Sequence, residues 1–508
     1  MNQNVFVKME DICKTFGTVK ANDHINFEVN KGEIHALLGE NGAGKSTLMN
    51  MLSGIYKPDS GSIYIHGNEV KINSPKDSIQ KGIGMIHQHY KLVEVQTAKE
   101  NVIMGQSGNF FTNDKKLTEQ IKKIAEQFGL AVDPNKKIYD MSIGEKQAVE
   151  ILKVLYQGAD ILIMDEPTAV LTPQETKKLF KIIRNMAKEG CAIIIITHKL
   201  HEVMEVSDRV TVLRKGTTVG TLNTKETSPK ALTDLMVGKA VDLSIERPLV
   251  QRGHAVLKIK DLEATDIDRV RVLKALTFDL YAGEILGVAG VAGSGQKELC
   301  ESIAGLYPID SGEILYEEEN LVGKSPRDII KKGISMSFIP EDRLGMGLVA
   351  SMDMVDNFLL KEHHNQKGLF IKRKPIMKKC VEMIERLEIK TPGIHHPVKQ
   401  LSGGNIQKVL IGREIETNPH VLITAYAVRG LDIGASHTIY DLINEQKQKE
   451  VAILFIGEDL DVLLELCDRI MVLCDGEITG IVSAKDVTKE QLGFMMAGEK
   501  GPMEVDII

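Results

Sequence analysis

The chain repeats one arrangement of sequence. Residues 28–47, EVNKGEIHALLGENGAGKST, and residues 279–298, DLYAGEILGVAGVAGSGQKE, each combine a turn, an apolar run and a glycine-rich loop. Three further pairs of similar segments follow in the same order: 141–147 and 401–407, 161–172 and 421–432, and 206–216 and 466–476. Self-similarity at an offset of about 250–260 residues indicates a tandem duplication of one domain.

The length of 508 residues agrees with two domains, because single hydrophobic cores stop growing at about 250–300 residues. We predict one domain over residues 1–241, a linker over residues 242–254 and a second domain over residues 255–508. Short apolar runs alternate with helical patterns, such as the run Ile34–Leu38 and the pattern Ser46–Tyr56. This alternation predicts α/β domains with a mainly parallel sheet.

Composition excludes several classes of protein. The net charge of −7 gives no overall basic field for nucleic acid. The six cysteines are scattered without a C-x-x-C pair, which favours a reducing compartment and gives no support for a zinc site. The longest apolar runs, such as Ala192–Ile196, have strand length and fall far short of the roughly 20 residues of a membrane span. The N-terminus has no signal-peptide pattern. We expect contact with a membrane only through a partner.

The first glycine-rich loop, GENGAGKST at Gly39–Thr47, fits the phosphate-binding loop (P-loop) pattern G-x-x-x-x-G-K-[ST] after a predicted strand. Glycines let backbone N–H groups curl around a phosphate, and the helix that follows points its N-terminus at the anion. We predict that Lys45 brings positive charge to the β- and γ-phosphate oxygens and that the Ser46 hydroxyl binds Mg²⁺. The remaining predicted nucleotide-binding residues of the loop are Gly39, Asn41, Gly42, Gly44 and Thr47.

Two carboxylates, Asp165 and Glu166, end the apolar strand in ILIMDEP. Burying such a pair without a cation is unfavourable, and a Mg²⁺–nucleotide supplies one. We predict that Asp165 belongs to the metal shell and that Glu166 orients and polarises the attacking water. Taken alone, the pair is equally compatible with a strand-end turn whose acids are solvated.

Two further polar residues follow apolar strands. His198 comes after AIIIIT, and Gln88 lies in GIGMIHQHY. A lone histidine in such a place is more often structural, and its functional alternative is to sense the γ-phosphate. For Gln88, we predict contact with the metal and the attacking water.

The second half contains LSGGNIQKVLIGREI, which begins at Leu401. Ser402 is a candidate helix N-cap, and Gly403 and Gly404 leave the N–H groups of the first turn open to an anion. LSGGN precedes an apolar strand here, just as MSIGEKQ precedes ILIMDEP in the first half. This order of motifs resembles the ATP-binding cassette (ABC) ATPases, and the resemblance covers residues 5–240 and 256–501.

The resemblance implies two tandem ABC ATPase (P-loop NTPase) domains. Each would have a mainly parallel sheet core, an antiparallel β part and a helical subdomain with the signature motif. Such domains pair head to tail, so that each ATP lies between the P-loop of one domain and the signature helix of the other. The implied roles are adenine stacking for Phe16, the Q-loop for Gln88, the switch histidine for His198, the D-loop aspartate for Asp432, and the signature for Ser402, Gly403, Gly404 and Asn405.

The two composite sites differ. The intact site combines the first-half residues above with the second-half signature and Asp432. The degenerate site combines the second P-loop with the first-half signature. Its replacements are Gln296 for the P-loop lysine, Ala425 for the metal aspartate, Tyr426 for the catalytic glutamate, Glu458 for the switch histidine, and Ile143 and Glu145 within the signature. Because the defects fall on both halves but on one composite site, we predict a single hydrolytic site.

Tandem cassettes with a short linker resemble the energising subunit of bacterial sugar and nucleoside importers. Residues 87–105 and 423–435 are most similar to the purine-nucleoside (BMP-type) importers, although Tyr426 and Val428 depart from the usual Gln and Thr. The resemblance implies ATP and Mg²⁺ as cofactors and a place at the cytoplasmic face of the cell membrane. The implied partners are two permease subunits and, indirectly, an extracytoplasmic solute-binding lipoprotein.

Two alternatives stay open at this point. The first is the same role in a simple-sugar importer of the ribose or galactose type. The second is a ribosome-acting tandem ABC protein, a class that carries a long charged linker and two competent sites, neither of which is visible here.

Overall fold

A computed structural model describes residues 4–87, 90–105, 114–169, 171–238, 244–331, 336–340, 342–363, 366, 370–429, 431 and 433–503. The chain forms two compact units, Met1–Asp242 and Leu243–Ile508. Both units are α/β domains with a mainly parallel sheet and a separate antiparallel sheet, which confirms the predicted fold class.

The described part of the first unit contains ten strands and eight α-helices. The strands are β1 (Val5–Phe16), β2 (Val19–Asn30), β3 (Ile34–Gly39), β4 (Ser60–Ile65), β5 (Asn68–Val70), β6 (Ile83–Ile86), β7 (Ile161–Asp165), β8 (Ala192–Thr197), β9 (Arg209–Arg214) and β10 (Thr217–Asn223). The helices are α1 (Lys45–Leu52), α2 (Pro75–Gln80), α3 (Ala98–Ile103), α4 (Asp114–Phe128), α5 (Ile143–Tyr156), α6 (Pro173–Lys188), α7 (Leu200–Val206) and α8 (Pro229–Val237).

Two sheets organise this unit. The larger has the strand order β10-β9-β3-β8-β7-β6 and is parallel except for the pair β9–β10. The smaller is antiparallel, with the order β2-β1-β4-β5. Strands β3 and β8 are buried along their whole length, as expected of central parallel strands covered on both faces. Since parallel strands end at one edge, the segments that follow β3, β7 and β8 meet there.

The second unit repeats this plan in its described residues. Its strands are β11 (Ala255–Thr265), β12 (Arg271–Tyr281), β13 (Ile285–Gly290), β14 (Ser311–Tyr316), β15 (Glu319–Asn320), β16 (Met336–Ile339), β17 (Val421–Ala425), β18 (Ala452–Ile456), β19 (Arg469–Cys474) and β20 (Glu477–Ser483). Its α-helices are α9 (Gln296–Ile303), α10 (Pro326–Lys331), α11 (Met354–Glu362), α12 (Arg373–Arg386), α13 (Gly403–Ile415), α14 (Ile433–Gln448), α15 (Leu460–Leu466) and α16 (Lys489–Met496).

The strand orders of the second unit, β16-β17-β18-β13-β19-β20 and β12-β11-β14-β15, are those of the first unit element for element. In each unit a group of helices lies in sequence between two neighbouring strands of the parallel sheet, β6 and β7 in the first unit and β16 and β17 in the second. In the first unit these helices are α3, α4 and α5, whose buried side chains belong to one hydrophobic core with β7 and β8. They form the predicted helical subdomain that carries the signature motif.

One helix boundary differs from the sequence prediction. The helix expected over Ser46–Tyr56 runs from Lys45 to Leu52. It ends there because Ser53 is its C-cap and Gly54 takes a left-handed φ of 77°, a conformation that glycine adopts without steric penalty.

Within the predicted linker, Ile245 packs against the second unit's core, and the Asn444 side-chain amide donates a 2.7 Å hydrogen bond to the Glu246 carbonyl.

Over the residues that the structure describes, every helix is too short or too polar to cross a bilayer.

Candidate nucleotide-binding site

The P-loop between β3 and α1 depends on two left-handed glycines, Gly42 at φ 82° and Gly44 at φ 99°. A Cβ atom at Gly44 would overlap the Ala21 carbonyl oxygen and the Asn22 side chain, so only glycine allows β2 to approach this closely. The Asn22 amide donates a 3.2 Å hydrogen bond to the Gly44 carbonyl. Strand β2 therefore supports the loop from behind, a role that the sequence did not indicate for Asn22.

Lys45 lies inside this loop. Its ammonium group donates to the Gly39 carbonyl at 2.6 Å and to the Glu40 carbonyl at 3.0 Å, and the residue is only 6% exposed. Burial lowers the pKa of Lys45, while the charges of Glu166 and Asp165 act in the opposite direction. Ser46 is exposed and Thr47 half-buried in the first turn of α1. The loop thus presents one buried cation and an exposed hydroxyl together.

The two carboxylates stand at the end of β7. Asp165 is paired in register with Ile196 of the neighbouring strand. Glu166 takes a left-handed φ of 45°, and its backbone N–H donates to the Ile196 carbonyl at 2.9 Å. This turn begins with a non-glycine residue in a sparsely populated conformation, the kind of local strain that is concentrated at functional sites.

The strand register brings His198 to Glu166. Nδ1 of His198 lies 2.8 Å from Oε1 of Glu166. This hydrogen bond is the largest cause that lowers the pKa of Glu166, whereas burial followed by the charge of Glu166 raises the pKa of Asp165. The pKa values of the two neighbouring acids are therefore shifted in opposite directions.

The donor set fits a magnesium–nucleotide. Mg²⁺ prefers hard oxygen ligands and is usually held by one or two carboxylates together with substrate phosphates. Asp165 and Ser46 are such oxygen donors, and burial followed by the charge of Glu166 raises the pKa of Asp165, while the Lys45 ammonium acts in the opposite direction. The glycine cradle and the buried ammonium of Lys45 are suited to the phosphates.

A buried carboxylate links the turns that follow β7 and β8. Glu202 is 1% exposed, accepts a hydrogen bond from the Thr168 hydroxyl, and accepts a second from the Thr197 hydroxyl at 3.2 Å. The Lys199 ammonium lies 3.3 Å from the same carboxylate. This network joins the turn after Glu166 to the turn that carries His198. Sequence reasoning missed it, because nothing in the spacing of these residues predicts the pairing.

The predicted adenine contact, Phe16, lies at the end of β1 and is 43% exposed. Its ring is 5.2 Å from the ring of Tyr56, at an interplanar angle of 68°. The Lys14 ammonium lies 5.6 Å from the Phe16 ring centroid. Tyr56 was not predicted; an aromatic residue shortly after the P-loop helix was the available signal.

The second glycine-rich loop keeps the backbone of the first. Gly293 and Gly295 have φ angles of 91° and 100°, matching Gly42 and Gly44. The Gln296 amide, 2% exposed, donates to the Val291 carbonyl at 3.1 Å, the equivalent of the contact that Lys45 makes with Glu40. An uncharged amide therefore takes the place of the buried Lys45 ammonium in this loop.

The turn after β17 has the same backbone conformation as the turn after β7, but its side chains differ. Tyr426 has φ 54° and donates its N–H to the Ile456 carbonyl at 2.9 Å, as Glu166 does to Ile196. Burial raises the pKa of Tyr426 to about 12, so that its phenol stays neutral. Glu458, at the position of His198, forms an ion pair with Arg429 at 3.3 Å. Tyr426 thus offers no carboxylate at the position that Glu166 occupies in the first unit.

The two signature helices begin differently. At α5, Ser142 and Glu145 form a reciprocal capping box: Glu145 accepts from the Ser142 N–H at 2.8 Å and donates its own N–H to the Ser142 hydroxyl at 3.3 Å. The Lys136 ammonium lies 2.8 Å from Glu145 and lowers the pKa of that carboxyl. The Glu145 carboxylate thus occupies the N-terminal end of α5 as part of the capping box.

At α13, Ser402 has the backbone conformation of an N-cap, as predicted, but its side chain caps no backbone N–H. Instead, its hydroxyl accepts a 2.8 Å hydrogen bond from the Asn405 amide, and Asn405 in turn accepts from the Lys390 N–H at 2.9 Å. The glycine turn at Gly403 and Gly404 carries no acidic side chain. This helix start is therefore open to an external anion in a way that α5 is not.

The structure gathers Lys45, Asp165, Glu166 and His198 at one edge of the first unit's sheet. The predicted signature residues lie in the second unit. Gln88 and Asp432 lie outside the described residues, so their predicted roles stay predictions.

Comparison with known proteins identifies the family. A family model described as "ABC transporter" matches residues 22–169 and 273–424, once in each unit. Among curated proteins, the chain is 42% identical to the nucleoside import ATP-binding protein NupA of Lactococcus lactis, over 98% of this chain and 99% of NupA. It is 44% identical to the guanosine import ATP-binding protein NupO of Bacillus subtilis, over 97% of both chains.

A relative named for a sugar is less similar. The glucose import ATP-binding protein TsgD13 of Haloferax volcanii is 37% identical over 98% of this chain and 96% of that protein. Among solved structures, a chain in the crystal structure of the complex of archaeal ribosomal stalk protein aP1 and ribosome recycling factor aABCE1 matches with a TM-score of 0.59 at 17% identity. That match covers 91% of this chain and 87% of the other, and it shows similarity of fold alone. With two matched cassettes and relatives of this identity along almost its whole length, the chain belongs to the ABC transporter family of ATP-binding proteins.

Proposed function

We propose that this chain is the ATP-hydrolysing subunit of a bacterial importer for nucleosides. The observation that carries the proposal is the identity of 42–44%, over at least 97% of each chain, with two proteins named for nucleoside and guanosine import. The glucose-import relative reaches 37%. A simple-sugar importer is the second candidate, because these percentages differ by only a few points and the solute meets other subunits.

In the proposed reaction, the P-loop N–H groups and Lys45 bind the phosphates of ATP. Glu166 accepts a proton from the attacking water, and its lowered pKa keeps the side chain in the carboxylate form that can do so. His198 donates to Glu166 and holds its carboxylate in one orientation. Mg²⁺, bound through Ser46, Asp165 and the predicted ligand Gln88, would offset negative charge on the phosphates.

The proposal includes one hydrolytic site, composed of the first unit's P-loop, Asp165, Glu166 and His198 together with the second unit's signature and Asp432. Two observations support this assignment. The open start of α13 suits a phosphate, whereas the start of α5 already holds the Glu145 carboxylate. Gln296 and Tyr426 keep the loop and the turn of the second unit but offer neither cation nor base.

The proposed partners are two membrane permease subunits and, through them, an extracytoplasmic solute-binding lipoprotein. The chain would then act at the cytoplasmic face of the cell membrane. ATP binding would close the two cassettes and hydrolysis would reopen them, with Gln88 as one point of coupling to the permeases.

The test is uptake of labelled purine nucleosides, ribose and glucose by cells whose own copy of the gene encodes Glu166→Gln. We expect nucleoside uptake to fall to background while sugar uptake is unchanged. Tyr426→Phe, at the equivalent position of the second unit, is the matched control and should transport normally. Loss of sugar uptake with normal nucleoside uptake would instead establish the sugar importer.

A further inference from the structure

Three side chains of metal-binding type meet on the antiparallel sheet of the first unit. Within the described ranges of the chain, Cys13, Asp23 and His24 are the one group of three or more such residues whose ligand atoms all lie within 4.8 Å of one another. Cys13 belongs to β1, and Asp23 and His24 belong to the paired strand β2. We propose that this cluster binds a divalent transition-metal ion of the zinc type.

The histidine has the orientation that metal-binding histidines require. Its Nδ1 lies 2.5 Å from Oδ1 of Asp11, while its Nε2 lies 3.8 Å from Oδ1 of Asp23. Metal-ligating histidines commonly donate one ring N–H to a carboxylate, which fixes the tautomer and directs the other nitrogen to the metal. Asp11 is thus the positioning residue, and Nε2 of His24 is the ligand atom that faces Asp23.

Sγ of Cys13 is held in place by the neighbouring strand. The His24 backbone N–H donates to Sγ of Cys13 at 3.3 Å, which holds the sulfur beside strand β2. Bonds of about 2.0–2.3 Å in a tetrahedral zinc site place neighbouring donors about 3.3–3.8 Å apart. Closing the cluster from 4.8 Å therefore needs movements of about 1 Å. Three protein ligands would leave a fourth position for water.

One cation already stands near the cluster. The Lys20 ammonium lies 3.3 Å from Oδ2 of Asp23, and the Lys20 side chain is 66% exposed. Exposed ion pairs of this kind contribute little to stability. A metal that binds the Asp23 carboxylate can therefore replace Lys20 at little energetic cost.

The second unit serves as an internal comparison. Ile12 pairs with Ile25 in the first unit as Leu262 pairs with Leu276 in the second. This register places Glu263 at the position of Cys13, Lys274 at that of Asp23, and Ala275 at that of His24. The donor set is therefore specific to the first unit.

The unusual backbone of this region, by contrast, belongs to the fold. Asp11 and His24 have φ angles of 54° and 53°, and their equivalents Asp261 and Ala275 have φ angles of 45° and 52°. Backbone strain consequently carries no part of the proposal, which rests on the donors and their geometry. The same comparison shows that alanine is compatible with the backbone at the position of His24.

The test is a titration of the full chain with Co²⁺, without nucleotide and under reducing conditions. We expect one Co²⁺ per chain with a near-ultraviolet thiolate-to-cobalt charge-transfer band, and displacement of that band by Zn²⁺. Cys13→Ser should abolish the band. His24→Ala should weaken Co²⁺ binding, and Asp11→Asn should weaken it by about 10- to 100-fold.

Cys474→Ser is the matched control, because Cys474 is the other half-buried cysteine; this variant should keep the band. His24→Ala guards against misfolding, since the second unit carries alanine in the same conformation, and its melting temperature without metal should equal that of the wild type. The proposal is overturned if the wild type gives no thiolate band, or if the band survives in Cys13→Ser.

Discussion

Nδ1 of His198 lies 2.8 Å from Oε1 of Glu166, although the two residues follow different strands. The parallel register of β7 and β8 creates this contact. It lowers the pKa of the carboxyl that would accept a proton from water, and it makes Glu166 the first residue to test.

We expect Glu166→Gln to reduce ATP turnover by about 10²- to 10⁴-fold, the usual contribution of a general base. ATP binding should persist, because glutamine keeps the shape of the side chain and the P-loop is unchanged. Phosphate release and nucleotide binding of the purified chain measure the two effects. Tyr426→Phe should leave turnover unaltered. Turnover of Glu166→Gln within a few-fold of wild type would contradict the assigned role.

Lys45→Gln imitates the second unit, where Gln296 occupies the same place. We expect the fold to tolerate it, since the amide can donate to the loop carbonyl as Gln296 does to Val291. ATP affinity should fall by about 10- to 150-fold, because hydrogen bonds from a charged donor contribute about 1.5–3 kcal/mol. Calorimetric titration with ATP and urea unfolding separate affinity from stability. Wild-type affinity in this variant would show that the ammonium does not contact phosphate.

Arginine at the two signature serines should have opposite effects. Ser402→Arg should abolish turnover and change stability little, because the Ser402 side chain caps no backbone N–H. Ser142→Arg should lose about 0.5–2 kcal/mol of unfolding free energy with the capping box and keep its turnover. Steady-state hydrolysis and urea unfolding of both variants provide the comparison. Equal loss of activity in the two would argue against a single hydrolytic site.

The pH dependence of Mg²⁺ action follows from Asp165, whose pKa is raised by burial and by Glu166. A raised pKa means that the carboxyl takes up its proton at a higher pH than an exposed aspartate. The carboxylate that binds Mg²⁺ is therefore lost as the pH falls through that raised value. We expect the gain in ATP affinity caused by Mg²⁺ to shrink over this range.

The measurement is ATP binding with and without Mg²⁺ at a series of pH values, in wild type and in Asp165→Asn. Asp165→Asn lacks this carboxyl, so the pH dependence that remains in the variant comes from other groups, such as the phosphates of ATP. The difference in pH dependence between the two proteins therefore reports on Asp165. A Mg²⁺ gain that changes with pH equally in both proteins would refute the assignment.

Much of the fold and site is predictable because the informative patterns are local. The P-loop, the acids after ILIM and the histidine after AIIII each occupy a few consecutive residues at the end of an apolar run. Such runs predict buried parallel strands, and the ends of parallel strands meet. Helix ends were less predictable: α1 stops at Leu52 because Gly54 turns left-handed, which an apolar pattern does not reveal.

The sequence by itself determined the duplication, the α/β class, the residues of the P-loop and the asymmetry between the two sets of motifs, because each depends on residue type and spacing along the chain. Only the tertiary structure decided that Asn22 supports Gly44, that Glu202 joins the turns after β7 and β8, and that Cys13 lies beside His24. These contacts depend on strand register and on shifts of that register within β1 and β2. A shift of one residue turns a side chain to the opposite face of a sheet, and no local pattern specifies it.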